Sequence, residues 1–128
     1  MQTVTSPVDP DTTVERLEAG IEAAGLRVAG RIDGQANAAR MGREVPADRI
    51  LEVFRPDFAI RVWAAEKAAG IDIPLRIHIY TAADGDTRVA LRRPAEVFAP
   101  WGNPDLDAIG AELEPLFDTI LARLEDDQ

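Results

Sequence analysis

Apolar and polar residues alternate strictly between residues 75 and 80, and this segment restricts the fold more than any other part of the chain. An alternation with a period of two is typical of a β-strand that buries one face and exposes the other. The apolar positions are Leu75, Ile77 and Ile79, and the polar positions are Arg76, His78 and Tyr80. Because a sheet with a single apolar face must be covered on that face, the rest of the chain has to supply amphipathic helices.

The same periodicities divide the rest of the chain into strands and helices. The predicted strands are Thr3–Ser6, Leu26–Ile32, Ile50–Phe54, Leu75–Thr81 and Asp86–Leu91. The predicted helices are Thr13–Ala24, Gln35–Met41 and Phe58–Ala69, followed by a last helix that begins at Asn103-Pro104. This order predicts an α/β (α+β) fold, a two-layer sandwich with one mixed sheet of about four to five strands covered on one face by helices.

Two local signals give sharper predictions. Asp84-Gly85 is a strong turn signal and predicts a hairpin between the last two strands. In the last helix, Pro115 lacks a backbone N–H and its ring clashes with the preceding turn, so we expect the helix to kink or split there.

The chain is expected to form one domain over residues 1–128, in which residues 1–11 are an extended N-terminal segment. The predicted core joins the inward positions of the strands to the apolar stripes of the helices. Its members are Leu26, Val28, Ile32, Leu75, Ile77, Ile79, Val89 and Leu91 from the strands, and Leu17, Ile21, Leu113, Phe117 and Ile120 from the helices.

The residue counts exclude several kinds of chemistry. The chain has no Cys, one His and one Ser, so thiol catalysis, disulfides and sites that need two His from one chain are excluded. We predict neither catalytic residues nor a metal site, and the sequence indicates no particular cofactor. No apolar run is long enough to cross a membrane, and the N-terminus lacks the features of a secretory signal, so we expect a cytoplasmic protein without a membrane partner.

The formal net charge of −9 is unevenly distributed. Residues 1–24 hold five acids and one base, residues 25–93 hold nine acids and twelve bases, and residues 94–128 hold nine acids and one base. Non-specific nucleic-acid binding needs a basic surface, so this acidic chain is not expected to bind nucleic acid.

Three segments resemble a bacterial and archaeal family known as domain of unknown function 302. They are Thr13-Val14-Glu15-Arg16-Leu17, Gly25-Leu26-Arg27-Val28-Ala29-Gly30-Arg31-Ile32-Asp33 and Gly70-Ile71-Asp72-Ile73-Pro74-Leu75-Arg76. The resemblance covers residues 12–125 and implies a small two-layer α/β fold. It implies no established activity, and it leaves open whether the domain is a monomer or a dimer.

The sequence departs from the family pattern at polar positions. Where the family usually has His after Ile-Asp, this chain has Gly34. Two Asn positions of the family pattern are occupied by Arg55 and Arg92. These changes indicate that an ancestral site has been lost or rebuilt for anions.

The candidate binding residues lie on the polar side of the predicted strands. They are Arg27, Arg31, Arg76, His78, Tyr80 and Arg88, with Arg55, Arg92 and the loop residue Asp33 as further candidates. Guanidinium groups offer paired donors to carboxylate or phosphate, so such a surface could bind an anion. It could equally be a solvated face or a dimer interface, and Asp33 could simply cap the next helix.

Two hypotheses about function follow. The first is a non-catalytic binding or assembly module, for which a homodimer is one possible arrangement. The alternative is a small enzyme or sensor that binds an anionic small molecule on the Arg/His/Tyr-lined face. A flat, self-complementary face would favour the first, whereas a concave pocket joining Arg, His and a carboxylate would favour the second.

Overall fold

In a computed structural model, which describes residues 1–125, five strands form one sheet with helices packed on one of its faces. The strands are β1 (Gln2–Thr5), β2 (Arg27–Asp33), β3 (Asp48–Phe54), β4 (Leu75–Thr81) and β5 (Thr87–Leu91). The helices are α1 (Pro10–Ala23), α2 (Gly34–Arg40), α3 (Pro56–Ala65), α4 (Pro94–Phe98) and α5 (Pro104–Ala122). Short 3₁₀ turns occupy Lys67–Asp72, Ala99–Trp101 and Arg123–Glu125. The predicted α+β fold class is confirmed.

The sheet has the order β1-β5-β4-β3-β2, and every neighbouring pair is antiparallel. The expectation of a mixed sheet was therefore wrong about strand direction. Val53 near the end of β3 lies opposite Leu75 at the start of β4, so the chain leaves and re-enters the sheet at the same end. A parallel pair would need a connection that crosses to the opposite end.

The core lies between the sheet and the helices. Eleven of the thirteen predicted core residues are at most 6% exposed, and Val28 is partly buried against them. The eleven are Leu26, Leu75, Ile77, Ile79, Val89, Leu91, Leu17, Ile21, Leu113, Phe117 and Ile120. Only Ile32 was predicted wrongly, since it is 43% exposed.

A β-bulge in β2 explains the exposure of that residue. Val28 lies opposite Val53, whereas Gly30 lies opposite the very next residue of β3, Glu52. Two steps along β2 therefore match one step along β3, and Ala29 is the extra residue. Because side chains alternate with a period of two, the extra residue exchanges the two faces of the strand beyond it.

The exchange moves two predicted residues to opposite sides of the sheet. Arg31 lies opposite the buried Leu51 and turns toward the helices, where its Nε is 2.7 Å from an Oε1 of Glu18 in α1. Ile32 lies opposite Ile50 on the face that the helices leave open.

Helix boundaries also differ from the predictions. Helix α1 begins at Pro10, inside the segment expected to be extended, because Asp9 caps it by accepting a hydrogen bond from the backbone N–H of Thr12. Helix α4 was not predicted at all. Of the expected kink or split at Pro115, the split is wrong, since α5 is continuous from Pro104 to Ala122 with Pro115 on the exposed side. Leu113 and Phe117 on either side of Pro115 are both buried.

The predicted hairpin is present between β4 and β5. Gly85 has a φ of 90°, a conformation that favours glycine. The carboxylate of Asp84 accepts a hydrogen bond from the backbone N–H of Asp86 at 2.9 Å and pairs with Arg88 at 2.6 Å. Both contacts hold the pKa of Asp84 below its ordinary value, and the hydrogen bond from the backbone N–H of Asp86 is the larger cause.

The central position of Ile77 makes it a test of the core. We expect Ile77→Ala to lower the free energy of unfolding by about 2–5 kcal/mol, because it leaves a cavity in the fully buried centre of the sheet. Denaturant unfolding measures this loss. The matched change Ile60→Ala, at a residue 61% exposed on α3, should cost less than about 0.5 kcal/mol. Equal losses in both variants would contradict the assigned register.

The hairpin carboxylate makes a prediction about pH. Because the pKa of Asp84 is lower in the folded chain, its contribution to stability is present above the unfolded pKa and is lost as the pH falls through the folded pKa. We expect a carboxyl NMR titration of Asp84 to give a midpoint below the ordinary aspartate value. In Arg88→Ala the midpoint should rise only part of the way, since the backbone donor remains. If the midpoint in Arg88→Ala instead rose fully to the ordinary aspartate value, Arg88 would account for the whole lowering of the pKa, and the role of the backbone N–H would be contradicted.

Candidate functional site

The sheet face turned away from the helices, called the open face below, carries most of the predicted site residues. The cross-strand register places on it Thr3, Thr5, Arg27, Gly30, Ile32, Asp48, Ile50, Glu52, Phe54, Arg76, His78, Tyr80, Arg88 and Ala90. Five predicted candidates are therefore together on one surface, namely Arg27, Arg76, His78, Tyr80 and Arg88. The strand alternation positions them, since their neighbours along each strand fill the core.

Part of the charge on the open face is neutralised within it. His78 Nε2 lies 2.9 Å from Asp48 Oδ1, and the His78 ring stacks on Tyr80 with 4.7 Å between ring centres. Arg88 lies between two carboxylates, 2.6 Å from Asp84 and 3.3 Å from Asp86. Among residues 1–125, Arg88 in this half of the face is therefore ion-paired, and His78 has a polar partner in Asp48.

The other half of the open face keeps its positive charge. Among residues 1–125, neither Arg27 nor Arg76 has a carboxylate oxygen within 4.0 Å. Glu52 is the direct cross-strand neighbour of Arg76, yet its carboxylate leans the other way, over Gly30. A Cβ built on Gly30 would lie 2.5 Å from Glu52 Oε1, so the missing side chain makes room for that carboxylate.

A groove of about 920 Å³ opens where β4 begins, beside the segment from Arg92 to Trp101. It is lined by Glu52, Ile71, Asp72, Ile73, Pro74, Leu75, Arg76, Arg92, Glu96, Val97, Pro100 and Trp101. Two predicted candidates, Arg76 and Arg92, share this groove, whereas His78 does not line it. Sequence reasoning missed Asp72 and Glu96, although Asp72 is four residues before Arg76 and Glu96 is four residues after Arg92.

Three candidates lie elsewhere. Arg31, predicted on the open face, is on the helix side because of the bulge and pairs with Glu18. Arg55 precedes α3, pairs with Asp57 at 2.7 Å and lies 4.4 Å from the ring centre of Phe58.

Asp33 caps helix α2, which is the structural alternative to a role in ligand binding. Its carboxylate caps α2 by accepting a hydrogen bond from the backbone N–H of Ala36 at 2.9 Å. Its other oxygen lies 3.3 Å from Nε of Arg49. Both carboxylate oxygens are thus engaged inside the fold.

In residues 1–125, no group of three or more His, Asp or Glu side chains could hold a metal ion. No helix in that part of the chain is both long and apolar enough to cross a membrane.

Comparisons with known proteins agree with the fold and with the family resemblance. The family model described as Domain of unknown function DUF302 matches residues 2–124. A crystal structure of an uncharacterized conserved DUF302 protein from Bacillus stearothermophilus covers 97% of both chains, with a TM-score of 0.85 and 25% sequence identity. A search of the curated proteins finds no match. Since the family model spans nearly the whole sequence and the similar structure shares its full architecture, this chain belongs to the family of Domain of unknown function DUF302.

Proposed function

We propose that this domain is a non-catalytic assembly module whose open face packs against the open face of a second copy. The observation that carries the proposal is a row of side chains across the middle of that face. Ile32, Ile50, His78 and Ala90 lie side by side on four neighbouring strands, and no helix of the described chain covers them. Sheet faces with such apolar centres commonly pack on each other at a distance of about 10 Å.

The charges of the open face support self-association. It carries the bases Arg27 and Arg76 together with the acids Asp48 and Glu52. In a contact with two-fold symmetry the same patch meets itself, so bases of one copy can lie opposite acids of the other. The contact between His78 and Asp48 gives each of these polar side chains a partner within the chain, which lowers the cost of burying them in an interface.

Helix α2 gives a second line of support. None of its residues is buried, although most protein helices are stabilised by packing one face. Around it, Ile32 is 43%, Met41 84% and Val45 40% exposed. Exposed apolar residues concentrated in one part of a surface are typical of interaction sites. We propose that this corner extends the interface.

The alternative of a small enzyme has weaker support. A proton carrier would have to share a concave site with the Arg residues, and the groove that holds Arg76 and Arg92 is not lined by the single His of the chain. His78 instead lies on the sheet, paired with Asp48.

Oligomeric state tests the proposal. We expect sedimentation equilibrium to show a dimer, and Ile32→Glu to weaken its association at least tenfold, or about 1.4 kcal/mol, because a charge would be buried in the interface. Ile60→Glu is the matched control, since Ile60 is exposed on α3 in the helix layer and should leave the dimer intact.

The fold should survive both changes, because both residues are exposed in the single chain. Thermal melting of the diluted proteins checks this. A wild-type protein that stays monomeric at all concentrations, or an equal response of the two variants, would contradict assembly through the open face.

A further inference from the structure

The two arginines that line the groove beside β4 have no carboxylate oxygen within 4.0 Å among residues 1–125. The three carboxylates of the groove each have another role. Asp72 accepts the indole N–H of Trp101 at 2.7 Å, and Glu96 binds the N-terminal ammonium at 2.6 Å. Glu52 leans over Gly30. None of the three pairs with a groove arginine.

The two arginines of the groove are adjacent across the strands. Ile77 of β4 lies opposite Leu91, the last residue of β5. The next residues outward from this pair are Arg76 and Arg92, and both line the groove. Like charges at such positions repel. Within residues 1–125 neither guanidinium has a carboxylate oxygen within 4.0 Å. The chain offsets this repulsion only at longer range, since the hydrogen bond from the N-terminal ammonium and, to a smaller degree, the charge of Arg92 lower the pKa of Glu96.

The remaining walls of the groove are apolar. Ile71 is 81% exposed, and Ile73, Val97 and Pro100 line the same space. The ring of Trp101 is partly buried and held in place by its hydrogen bond to Asp72. A charged pair next to an apolar wall matches a ligand with one anionic end and one apolar end.

We propose that this groove binds a small carboxylate with an apolar body. The carboxylate lies between the guanidiniums of Arg76 and Arg92, which offer paired N–H donors to its two oxygens. The apolar body lies along Ile71 and Val97 toward the ring of Trp101. The contacts that carry this inference lie within one chain. Because Arg76 also lies on the open face, the titration uses protein diluted below the concentration of self-association.

Titration with 2-naphthoate tests the site, followed by the indole ¹⁵N–¹H signal of Trp101. The chain has two Trp residues, so Trp63→Phe assigns the signal. We expect saturable shifts of the Trp101 signal with naphthoate. We expect none with 2-naphthalenemethanol, which lacks the charge, and none with inorganic phosphate, which lacks the apolar body.

Substitutions locate the binding contacts. Arg76→Gln and Arg92→Gln should each weaken naphthoate binding at least tenfold, the size of one lost charge-assisted contact. Arg27→Gln is the matched control, since Arg27 is an exposed arginine outside the groove and should leave the affinity unchanged. The thermal melting temperature of the diluted protein without ligand should change little in Arg76→Gln or Arg92→Gln, because both side chains are exposed in the single chain.

Three results would overturn the proposal. They are a Trp101 signal that never moves, equal binding by the uncharged alcohol, and equal loss of affinity in Arg27→Gln. Repeating the titration on Ile32→Glu keeps the two proposals separate. Binding that persists in this variant supports the groove even if assembly fails, and a dimer that forms without any naphthoate binding supports assembly alone.

Discussion

The close packing of α1 and α5 on one side of the sheet determines what the other side can do. A Cβ built on Gly20 of α1 would lie 2.9 Å from the Cα of Ile120 in α5, so the two helices approach nearly backbone to backbone. Leu17 and Ile21 are at most 1% exposed in the layer that results. Since both long helices cover the same face, the opposite face of every central strand is left without a helical partner.

The bulge at Ala29 then decides which side chains that face receives. Without it, Arg31 would stand on the open face and Ile32 in the core, as the simple alternation predicts. With it, a cation is paired to Glu18 on the helix side, and an apolar side chain is placed beside Ile50 on the open face. One extra residue therefore makes the open face both less charged and more apolar, which is one reason why we propose that this face assembles with a second copy.

Sequence reasoning succeeded where a local pattern sets the structure. The alternation of β4, the turn at Gly85 and the cap at Asn103 are each read from neighbouring residues, and each is confirmed. It failed where tertiary contacts decide: the bulge depends on pairing with β3, and α5 passes Pro115 because its apolar stripe stays on the core. The same limit applies to the groove, since Arg76 and Arg92 become neighbours only through the register of two strands.

The unbalanced arginine pair does not reflect a shortage of acids, since the chain has 23 acidic and 14 basic side chains. Arg93, next to Arg92 in sequence, shows where the acids are: it binds Glu114 and Asp118 of α5, each at 2.7 Å. The acids that bind Arg93 are in helix α5. Arg92, by contrast, lines the groove beside β4. The groove itself contains Glu52, Asp72 and Glu96 beside its two arginines. Its net charge therefore does not favour anions, and the proposed carboxylate site depends on the directed N–H donors of Arg76 and Arg92 rather than on the overall charge.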